Sequence, residues 1–374
     1  MTRYLRPNIA RLKAYVPGEQ PQDPGVIKLN TNENPYPPSP RVLSALRRAT
    51  NFSLRLYPEP MGDRLRAQAA SVYGVEPENV LAGNGSDELL SMIARCFVGP
   101  GDRVAYPVPT YTLYDTLVAI QEGESVCVEY PADFSVPEAL AARPAALTFL
   151  CNPNSPSATL VPLAAVERLA RSVAGVLVVD EAYIDFAAAE AASALPLVAN
   201  SPNLIVLRSF SKSFSLAGMR IGLAFGPREL IAAMAKVKDS YNLNRLSLEA
   251  ATAALQDLAW MRRNVARIQR TRARLAAALE KLGFYVYPSH ANFILARWRG
   301  ESARPIYERL KERKILVRYF DAPGLEDALR ITIGTPQETK RLVTALHAIV
   351  TELRSERAAR SRASPATFSR LPRA

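Results

Sequence analysis

The chain has few residues of the kinds that most often bind metals or form disulfides. Its 374 residues include only two histidines and three cysteines. Cys96, Cys127 and Cys151 stand singly in apolar runs, as reduced core cysteines of an intracellular protein do, so no disulfide framework is expected. His290 and His347 cannot form a histidine-rich site, and no Cys/His spacing typical of zinc ligands occurs. We therefore expect no metal.

Long apolar runs are also absent from the sequence. No stretch approaches the roughly 20 apolar residues that a membrane-spanning helix requires, and Met1–Pro7 lacks the apolar core of a secretion signal. An apolar fraction of 48% and a charged fraction of 22% are ordinary for a globular protein. These features predict a cytoplasmic protein without a membrane partner, long enough for one large and one smaller domain.

The charge balance is one-sided, with a formal net charge of +12. Arg354–Ala374 contributes six Arg against one Glu and has no apolar periodicity, which favours a disordered basic tail. The remaining excess fits a protein that handles small anions. No winged-helix or zinc-finger pattern accompanies the charge, so we expect no nucleic-acid partner.

Apolar, β-rich runs alternate with helical segments, which predicts a mostly parallel sheet covered on both faces. The predicted strands are Asn79–Ala82, Arg103–Tyr106, Ser125–Tyr130, Ala146–Cys151, Val176–Val179, Leu204–Arg208 and Ile221–Phe225. The predicted helices are Gly62–Tyr73, Asp87–Phe97, Tyr111–Gln121, Pro162–Ser172, Pro227–Asp239 and one long helix over about Ser247–Leu282.

A smaller α+β unit is predicted after Gly283. Its elements are strands Phe284–Tyr287, Phe293–Arg297, Ile315–Arg318 and Leu329–Ile333, and helices over 304–314 and from Pro336 to about Arg354. The chain is therefore divided into an N-terminal segment that packs on the small domain or on a partner, a large domain, a small domain and the basic tail, with the bounds 1–50, 51–282, 283–354 and 355–374.

Lys212 lies in a run rich in hydroxyls, directly after a predicted strand. Ser209 and Ser211 precede it and Arg220 follows eight positions on. A carbonyl cofactor with a phosphate group requires an amine for a Schiff base, and hydroxyls and a guanidinium for the phosphate. The run therefore indicates pyridoxal phosphate (PLP).

Polar residues follow the ends of other predicted strands as well. Gly83–Glu88 could bring the free N–H groups of a helix N-terminus to a phosphate, or form an ordinary N-cap. Tyr111 could lie flat against a planar ring, or pack in a turn. Asn152 could donate to an anionic ring oxygen, or form an Asx turn.

Charged residues complete this pattern. Asp180 ends a buried apolar strand, where a carboxylate is costly without a cation; a pyridinium N–H would be that cation, and the alternative is an arginine. Tyr183 could reach the ring hydroxyl. Arg318 and Arg330 could bind a substrate carboxylate or phosphate, or form a solvated strand face. His290 is interpreted as structural. Because ligands of such sheets bind at the carboxyl ends of strands, we expect the strand-end groups to meet.

These motifs resemble the histidinol-phosphate aminotransferase family, within the class II aminotransferases of fold type I. The resemblance covers about residues 8–350 and implies an α/β fold, a large mostly parallel sheet domain with a smaller α+β domain, and PLP as cofactor. The stretches that carry it are Leu29–Pro35, Leu56–Glu59, Gly83–Glu88, Pro109–Tyr111, Asn152–Asn154, Asp180–Tyr183, Ser211–Lys212, Leu216–Arg220, Pro288–Phe293 and Leu329–Thr335.

The resemblance also implies a role for each matching residue. Lys212 would form the internal aldimine and move the proton, and Asp180 would keep the pyridine nitrogen protonated. Asn152 and Tyr183 would bond the ring oxygen O3′, and Tyr111 would stack on the ring. The implied phosphate ligands are Gly85, Ser86, Asp87, Ser209, Ser211, Arg220 and, from the other subunit of a homodimer, Tyr57. The implied substrate-binding residues are Tyr15, Arg318 and Arg330.

One stretch departs from the family pattern. The family commonly continues Asn-Pro-Asn-Asn-Pro with Thr-Gly, whereas this chain has Ser155-Pro156-Ser157-Ala158 after Asn154. Alanine disfavours the positive φ that glycine adopts readily. We therefore expect the loop near Asn152 to differ.

The function expected from the resemblance is PLP-dependent transamination between L-histidinol phosphate and 2-oxoglutarate, in histidine biosynthesis. An aromatic amino-acid aminotransferase and a threonine-phosphate decarboxylase are the enzymatic alternatives. A PLP-binding regulatory module with a DNA-binding head is the alternative from another class. The roughly 30 residues before Asn30 are too few for the helix-turn-helix that such a module needs.

Overall fold

The structure is a computed structural model that describes residues 4–12, 18–187, 193–298 and 300–363. Its strands are β1 Ile27–Lys28, β2 Val80–Gly83, β3 Arg103–Val108, β4 Glu124–Glu129, β5 Leu147–Cys151, β6 Val176–Asp180, β7 Leu204–Ser209, β8 Gly222–Phe225, β9 Tyr285–Val286, β10 Phe293–Arg297, β11 Ile315–Leu316, β12 Arg318–Tyr319 and β13 Ala328–Thr332. Its helices are α1 Pro7–Arg11, α2 Pro40–Ala49, α3 Asp63–Tyr73, α4 Ser86–Phe97, α5 Leu113–Ile120, α6 Leu163–Ser172, α7 Arg228–Lys236, α8 Arg245–Leu255, α9 Leu258–Lys281, α10 Arg304–Glu312 and α11 Pro336–Ala363.

Seven strands form one large sheet in the order β2-β8-β7-β6-β5-β3-β4. The strands are parallel except β8, which runs antiparallel to β2 and β7. Every residue of β5 is buried, as in a strand covered on both faces. All seven predicted strands are therefore present, each with its ends within two residues of the predicted positions.

The strand order places a ligand-binding edge in this sheet. β3 has β4 on one side and β5 on the other. The order in which the chain adds strands to the sheet therefore reverses its direction at β3. In open parallel sheets, ligands bind at the carboxyl ends of the strands where the order reverses. The loops that follow β3, β5, β6 and β7 meet at that edge.

A second, antiparallel sheet has the order β12-β13-β10-β9. The N-terminal segment reaches this part of the chain, because β1 pairs in parallel with β11 and Ile27 stands opposite Ile315. The apolar residues around the two sheets form separate buried clusters, one of which joins β10 and β13 to α9 and α11. The division into domains at residues 50 and 282 remains a prediction.

The single long helix predicted over Ser247–Leu282 is wrong, because the chain forms α8 and α9 with a break at Gln256 and Asp257. Asp257 leaves helical geometry at φ −135° and ψ 54°, and its carboxylate accepts a bond from the Trp260 N–H. The Ser39 hydroxyl also donates to Asp257. An aspartate N-cap therefore starts a new helix, while the apolar spacing continues across the break.

The last helix is longer than the sequence predicts. α11 continues to Ala363, so residues 355–363 of the predicted disordered tail are helical, and residues 364–374 lie outside the described part. Glu356 forms an ion pair with Arg309 of α10, and Arg357 forms one with Glu301, which precedes α10 in the chain. These pairs hold the helical extension against that part of the small domain. Neither α11 nor any other described helix combines the length and the apolar character needed to cross a membrane.

Candidate active site

A cavity of about 320 Å³ lies at the carboxyl ends of β3, β5, β6 and β7. Its other wall comes from β12, β13 and the segment between Gly18 and Glu33. The predicted site residues that line it are Ser86, Asp87, Tyr111, Asp180, Tyr183, Ser209, Ser211, Lys212, Arg220, Arg318 and Arg330. The structure therefore brings most of the strand-end groups together.

Lys212 is a half-buried amine inside this cavity. Its Nζ donates to the Thr31 carbonyl at 3.5 Å and lies 5.7 Å from the centre of the Tyr183 ring. Burial, and then the positive charge of Arg330, lower the pKa of Lys212 to about 8. The neutral amine, the form that attacks a carbonyl, is consequently far more populated near neutral pH than in an ordinary lysine, although the charged form still predominates.

Asp180 is a buried carboxylate that receives only neutral donors. The Tyr114 hydroxyl donates to Oδ2 at 3.1 Å and the Ala182 N–H donates to Oδ1 at 3.2 Å. Burial raises the pKa of Asp180 to about 6. Within the described residues no lysine or arginine forms an ion pair with it, so the carboxylate is suited to a cation supplied by a ligand.

The start of α4 forms an anion cradle with Arg220. Gly85 precedes the helix at φ 84° and offers no side-chain cap, so N–H groups of the first turn stay available. A Cβ at Gly85 would lie 2.6 Å from Nη2 of Arg220. Arg220 bonds Ser211 at 3.4 Å and Asp87 at 3.1 Å, and the Tyr111 hydroxyl bonds the same Asp87. The cradle suits a phosphate, and Tyr111 borders it.

The structure does not bring Asn152 to the cavity. Its amide is buried and bonds the backbone of Val161 in both directions, at 3.2 and 2.8 Å, and its contact with a ring oxygen stays a prediction. Ser155, three residues later, lines the cavity instead. Ala158 adopts φ 64°. The alanine therefore has the left-handed backbone conformation that we expected it to disfavour.

Two arginines stand at the far side of the cavity. Arg318 and Arg330 are opposite each other on β12 and β13, and both guanidiniums lie near the Phe320 ring, at 5.7 and 5.5 Å from its centre. Arg330 also donates to Ser155 Oγ at 3.2 Å and to the Asn30 carbonyl at 3.0 Å. Two positive charges this close attract an anion of more than one negative charge.

Residues 24–346 match the family described as aminotransferase class I and II. The chain belongs to this family. It is 46% identical over 348 residues to histidinol-phosphate aminotransferase 1 of Trichormus variabilis, covering 92% of this chain and 99% of that protein. It is 43% identical over 357 residues to histidinol-phosphate aminotransferase 2 of Burkholderia mallei, covering 94% and 99%.

A solved structure gives the same result for the fold of this aminotransferase. The histidinol-phosphate aminotransferase of Sinorhizobium meliloti in complex with pyridoxal-5′-phosphate matches with a TM-score of 0.86 and 27% identity, over 94% of this chain and 99% of that one. The fold is that of the fold-type I PLP-dependent aminotransferases, as the sequence predicted.

The residues at the aminotransferase site that were not predicted include Tyr114, Asn32 and Ser155. Tyr114 lies within α5 and stacks on Phe149, so its spacing indicates only a core residue. Asn32 donates to the Tyr183 hydroxyl at 3.1 Å, and its only signal is the asparagine-rich run around it. Ser155 lies in a predicted turn, and spacing alone does not tell which of several polar loop residues faces inward.

Two further residues named in the sequence analysis, Tyr57 and His290, do not line the cavity in this single chain. Tyr57 is 77% exposed and stacks on Tyr241 at 4.4 Å, so its predicted role across a subunit interface stays a prediction. Tyr15 lies outside the described residues. His290 is not among the lining residues; burial lowers its pKa, and its backbone N–H bonds the Ala158 carbonyl.

We expect Asp180→Asn to stabilise the protein without bound ligand. The folded pKa of about 6 exceeds the ordinary value of 3.8, so the unfolded chain loses its proton first as the pH rises. This group therefore lowers stability between about pH 4 and pH 6, and the full cost persists above pH 6. The variant should gain about 1–2 kcal/mol at pH 8, and less at pH 5, as measured by urea unfolding.

Asp185→Asn is the matched control for this experiment. Asp185 is paired with Arg208 at 2.8 Å, so the same change there should lower the free energy of unfolding. An Asp180→Asn protein that is less stable than the wild type at pH 8 would contradict the account of Asp180.

Proposed function

We propose that this chain is a cytoplasmic, homodimeric, PLP-dependent aminotransferase that transfers the amino group of L-histidinol phosphate to 2-oxoglutarate, a step of histidine biosynthesis. The observation that supports PLP as the cofactor is that the Lys212 amine and the Asp180 carboxylate line the same cavity. The carboxylate has no ion-pair partner among the described residues, and its pKa is raised to about 6. The similarity to proteins named histidinol-phosphate aminotransferase over nearly their whole length supports the substrate.

The cavity residues fit PLP at each end of that molecule. Asp180 would hold its pyridinium nitrogen, because the carboxylate is buried and no cation of the described chain pairs with it. The first turn of α4, Ser211 and Arg220 would hold its phosphate. When bound, PLP supplies a carbonyl for the amino group and a ring that withdraws electrons from the substrate carbon.

Lys212 is the residue that moves the proton. Its lowered pKa, about 8, lets Nζ accept a proton from the substrate carbon and return it near neutral pH. The Asn34 side chain donates to the Lys212 carbonyl at 2.9 Å, which fixes the backbone from which the amine extends. Thr31, whose carbonyl accepts from Nζ, keeps the amine directed into the cavity.

The arginine pair supports an anionic substrate. Histidinol phosphate carries a phosphate, and 2-oxoglutarate carries two carboxylates, so one pair of guanidiniums can serve both reactants in turn. Arg318 forms no ion pair with any described residue and is therefore available to a ligand anion. A guanidinium can bind a carboxylate or a phosphate through two hydrogen bonds, which fix the orientation of the anion and also increase its affinity.

An exposed apolar surface supports the homodimer. We define the Tyr57 surface as Phe52, Leu54, Leu56, Tyr57 and Tyr241, which are exposed by 82%, 49%, 50%, 77% and 45%. Contiguous exposed apolar residues of this size are unusual on a monomer and mark contact surfaces. A second copy of the chain is the partner that would also bring Tyr57 to a cofactor phosphate.

We expect Lys212→Ala to abolish turnover and the visible absorption band of the PLP-loaded protein. In the wild type, adding histidinol phosphate should remove that band. The rate of PLP uptake should rise as the pH increases through about 8, because the Lys212 amine must be neutral to react. Lys236→Ala, at an exposed position of α7, is the control. A Lys212→Ala protein that keeps both its turnover and its visible absorption band would contradict the proposal.

Arg318→Ala should lower kcat/KM for histidinol phosphate by about 100-fold, since charge-assisted bonds to a phosphate are lost. The value for histidinol, which lacks the phosphate, should change little, so the ratio of the two values is the measurement. Arg318→Lys keeps the charge and should recover part of the loss. Equal losses for both amines, or a preference for phenylalanine, would favour an aromatic aminotransferase.

The double variant Phe52→Glu, Leu56→Glu should be a monomer of about 41.0 kDa by light scattering, whereas the wild type should have twice that mass. Two carboxylates in the middle of the Tyr57 surface would have to be desolvated in a dimer. Ala277→Glu, at an exposed position of α9, adds charge elsewhere and should leave the mass unchanged. A monomeric wild type would refute the homodimer.

A further inference from the structure

A buried ion cluster lies beside the segment that carries Lys212. The Arg208 guanidinium of β7 pairs with Glu181 at 3.0 Å and with Asp185 at 2.8 Å. The side chains of Arg208, Glu181 and Asp185 are exposed by only 12%, 0% and 15%. Two carboxylates share one guanidinium here, so the loss of any member leaves a buried charge without its partner. The cluster therefore holds its members in one arrangement.

Ser213 connects this cluster to Lys212. It directly follows Lys212 in the chain and is 2% exposed. Its hydroxyl donates to Oδ2 of Asp185 at 2.5 Å, while Oδ1 of the same carboxylate accepts from Arg208. Residues 210–216 lie outside every helix and strand that the structure describes. Side-chain bonds such as this one therefore fix the segment in place of a regular backbone ladder.

The path that starts at Ser213 ends directly after Asp180. Glu181 follows Asp180 in the chain, and its N–H donates to the Leu207 carbonyl of β7 at 2.9 Å. The Glu181 carboxylate accepts from Arg208. The cluster thus ties the position after the carboxylate that would hold the pyridinium to the position after the amine that would react with the cofactor carbonyl.

We propose that Ser213 and Asp185 are positioning residues for Lys212. Their hydrogen bond fixes the Lys212 amine at the distance from the Asp180 carboxylate at which one cofactor molecule can meet both groups. This inference rests on the proposed function. Neither Ser213 nor Asp185 lines the cavity, so both would act through the backbone of Lys212. Asn34 bonds the carbonyls of Lys212 and Ser213, so loss of the Ser213 hydroxyl would shift the amine without releasing the segment.

The test measures how fast the visible absorption band forms when PLP is added to the protein without bound PLP. At about pH 9 the Lys212 amine is mostly neutral. Ser213→Ala removes the bond to Asp185 and should lower this rate about tenfold, because small displacements of a reacting group are costly. The rate should still be half-maximal at a pH of about 8, since the charged groups around the amine are unchanged.

A second measurement uses the PLP-loaded protein. The rate at which saturating histidinol phosphate removes the band should fall in Ser213→Ala by a similar factor, while KM stays nearly unchanged, because the arginines that would bind the substrate are untouched. A purely structural role of Ser213 would lower the thermal midpoint of unfolding and leave both rates of the folded protein as they are.

Ser215→Ala is the matched control. Ser215 belongs to the same segment, and its buried hydroxyl has no hydrogen-bond partner among the described residues, so its removal should leave both rates unchanged. Asp185→Ala breaks the same bond as Ser213→Ala from the other side. In the double variant the two losses should therefore not multiply, and the rate should stay close to that of the slower single variant.

Each outcome decides the proposal. If the band forms as fast in Ser213→Ala as in Ser215→Ala, the positioning role is overturned while the proposed function stands. Losses that multiply in the double variant also overturn it, because the two residues then act separately. A wild type that takes up no PLP overturns both this inference and the proposed function. If Asp185→Ala fails to fold, the comparison of Ser213→Ala with Ser215→Ala decides alone.

Discussion

The buried carboxylate of Asp180 is the constraint around which the site is arranged. It ends β6, in register with Cys151 of β5, where the sheet removes it from water. Tyr114 and Ala182 provide hydrogen bonds but no charge, so burial is only partly offset and the pKa rises to about 6. A protein retains such a group when a ligand supplies the missing cation. The large sheet, by fixing the strand end, fixes where that cation must lie.

A second constraint joins the two sheets across the cavity. Asn32 bonds the Tyr183 hydroxyl from one side and Thr332 of β13 from the other. Asn34 bonds the backbone of Lys212, and the Asn30 carbonyl accepts from Arg330. The asparagine-rich segment is therefore a structural link between the residues that would hold the cofactor and those that would hold the substrate.

The sequence predicts the large sheet well because parallel strands covered on both faces are short apolar runs, such as Leu147–Cys151. The charged groups at strand ends follow from the same pattern, and Asp180 and Lys212 both line the cavity at this edge. Side-chain direction in loops does not follow from spacing, so the pattern does not reveal that the Asn152 amide bonds the Val161 backbone while Ser155 lines the cavity. The break at Asp257 escapes prediction because a single capping residue interrupts the helix without interrupting its apolar period.

The loop that carries Ser155 shows how an unfavourable residue can be retained. Ala158 holds φ 64°, a conformation that costs an L-residue about 1–2 kcal/mol. Its N–H bonds the Asn154 carbonyl and its own carbonyl accepts from the His290 N–H, both at 2.8 Å. Bonds on both sides of the residue outweigh its local preference. Because the loop is held this firmly, the Ser155 hydroxyl stays fixed relative to Arg330, which donates to it at 3.2 Å.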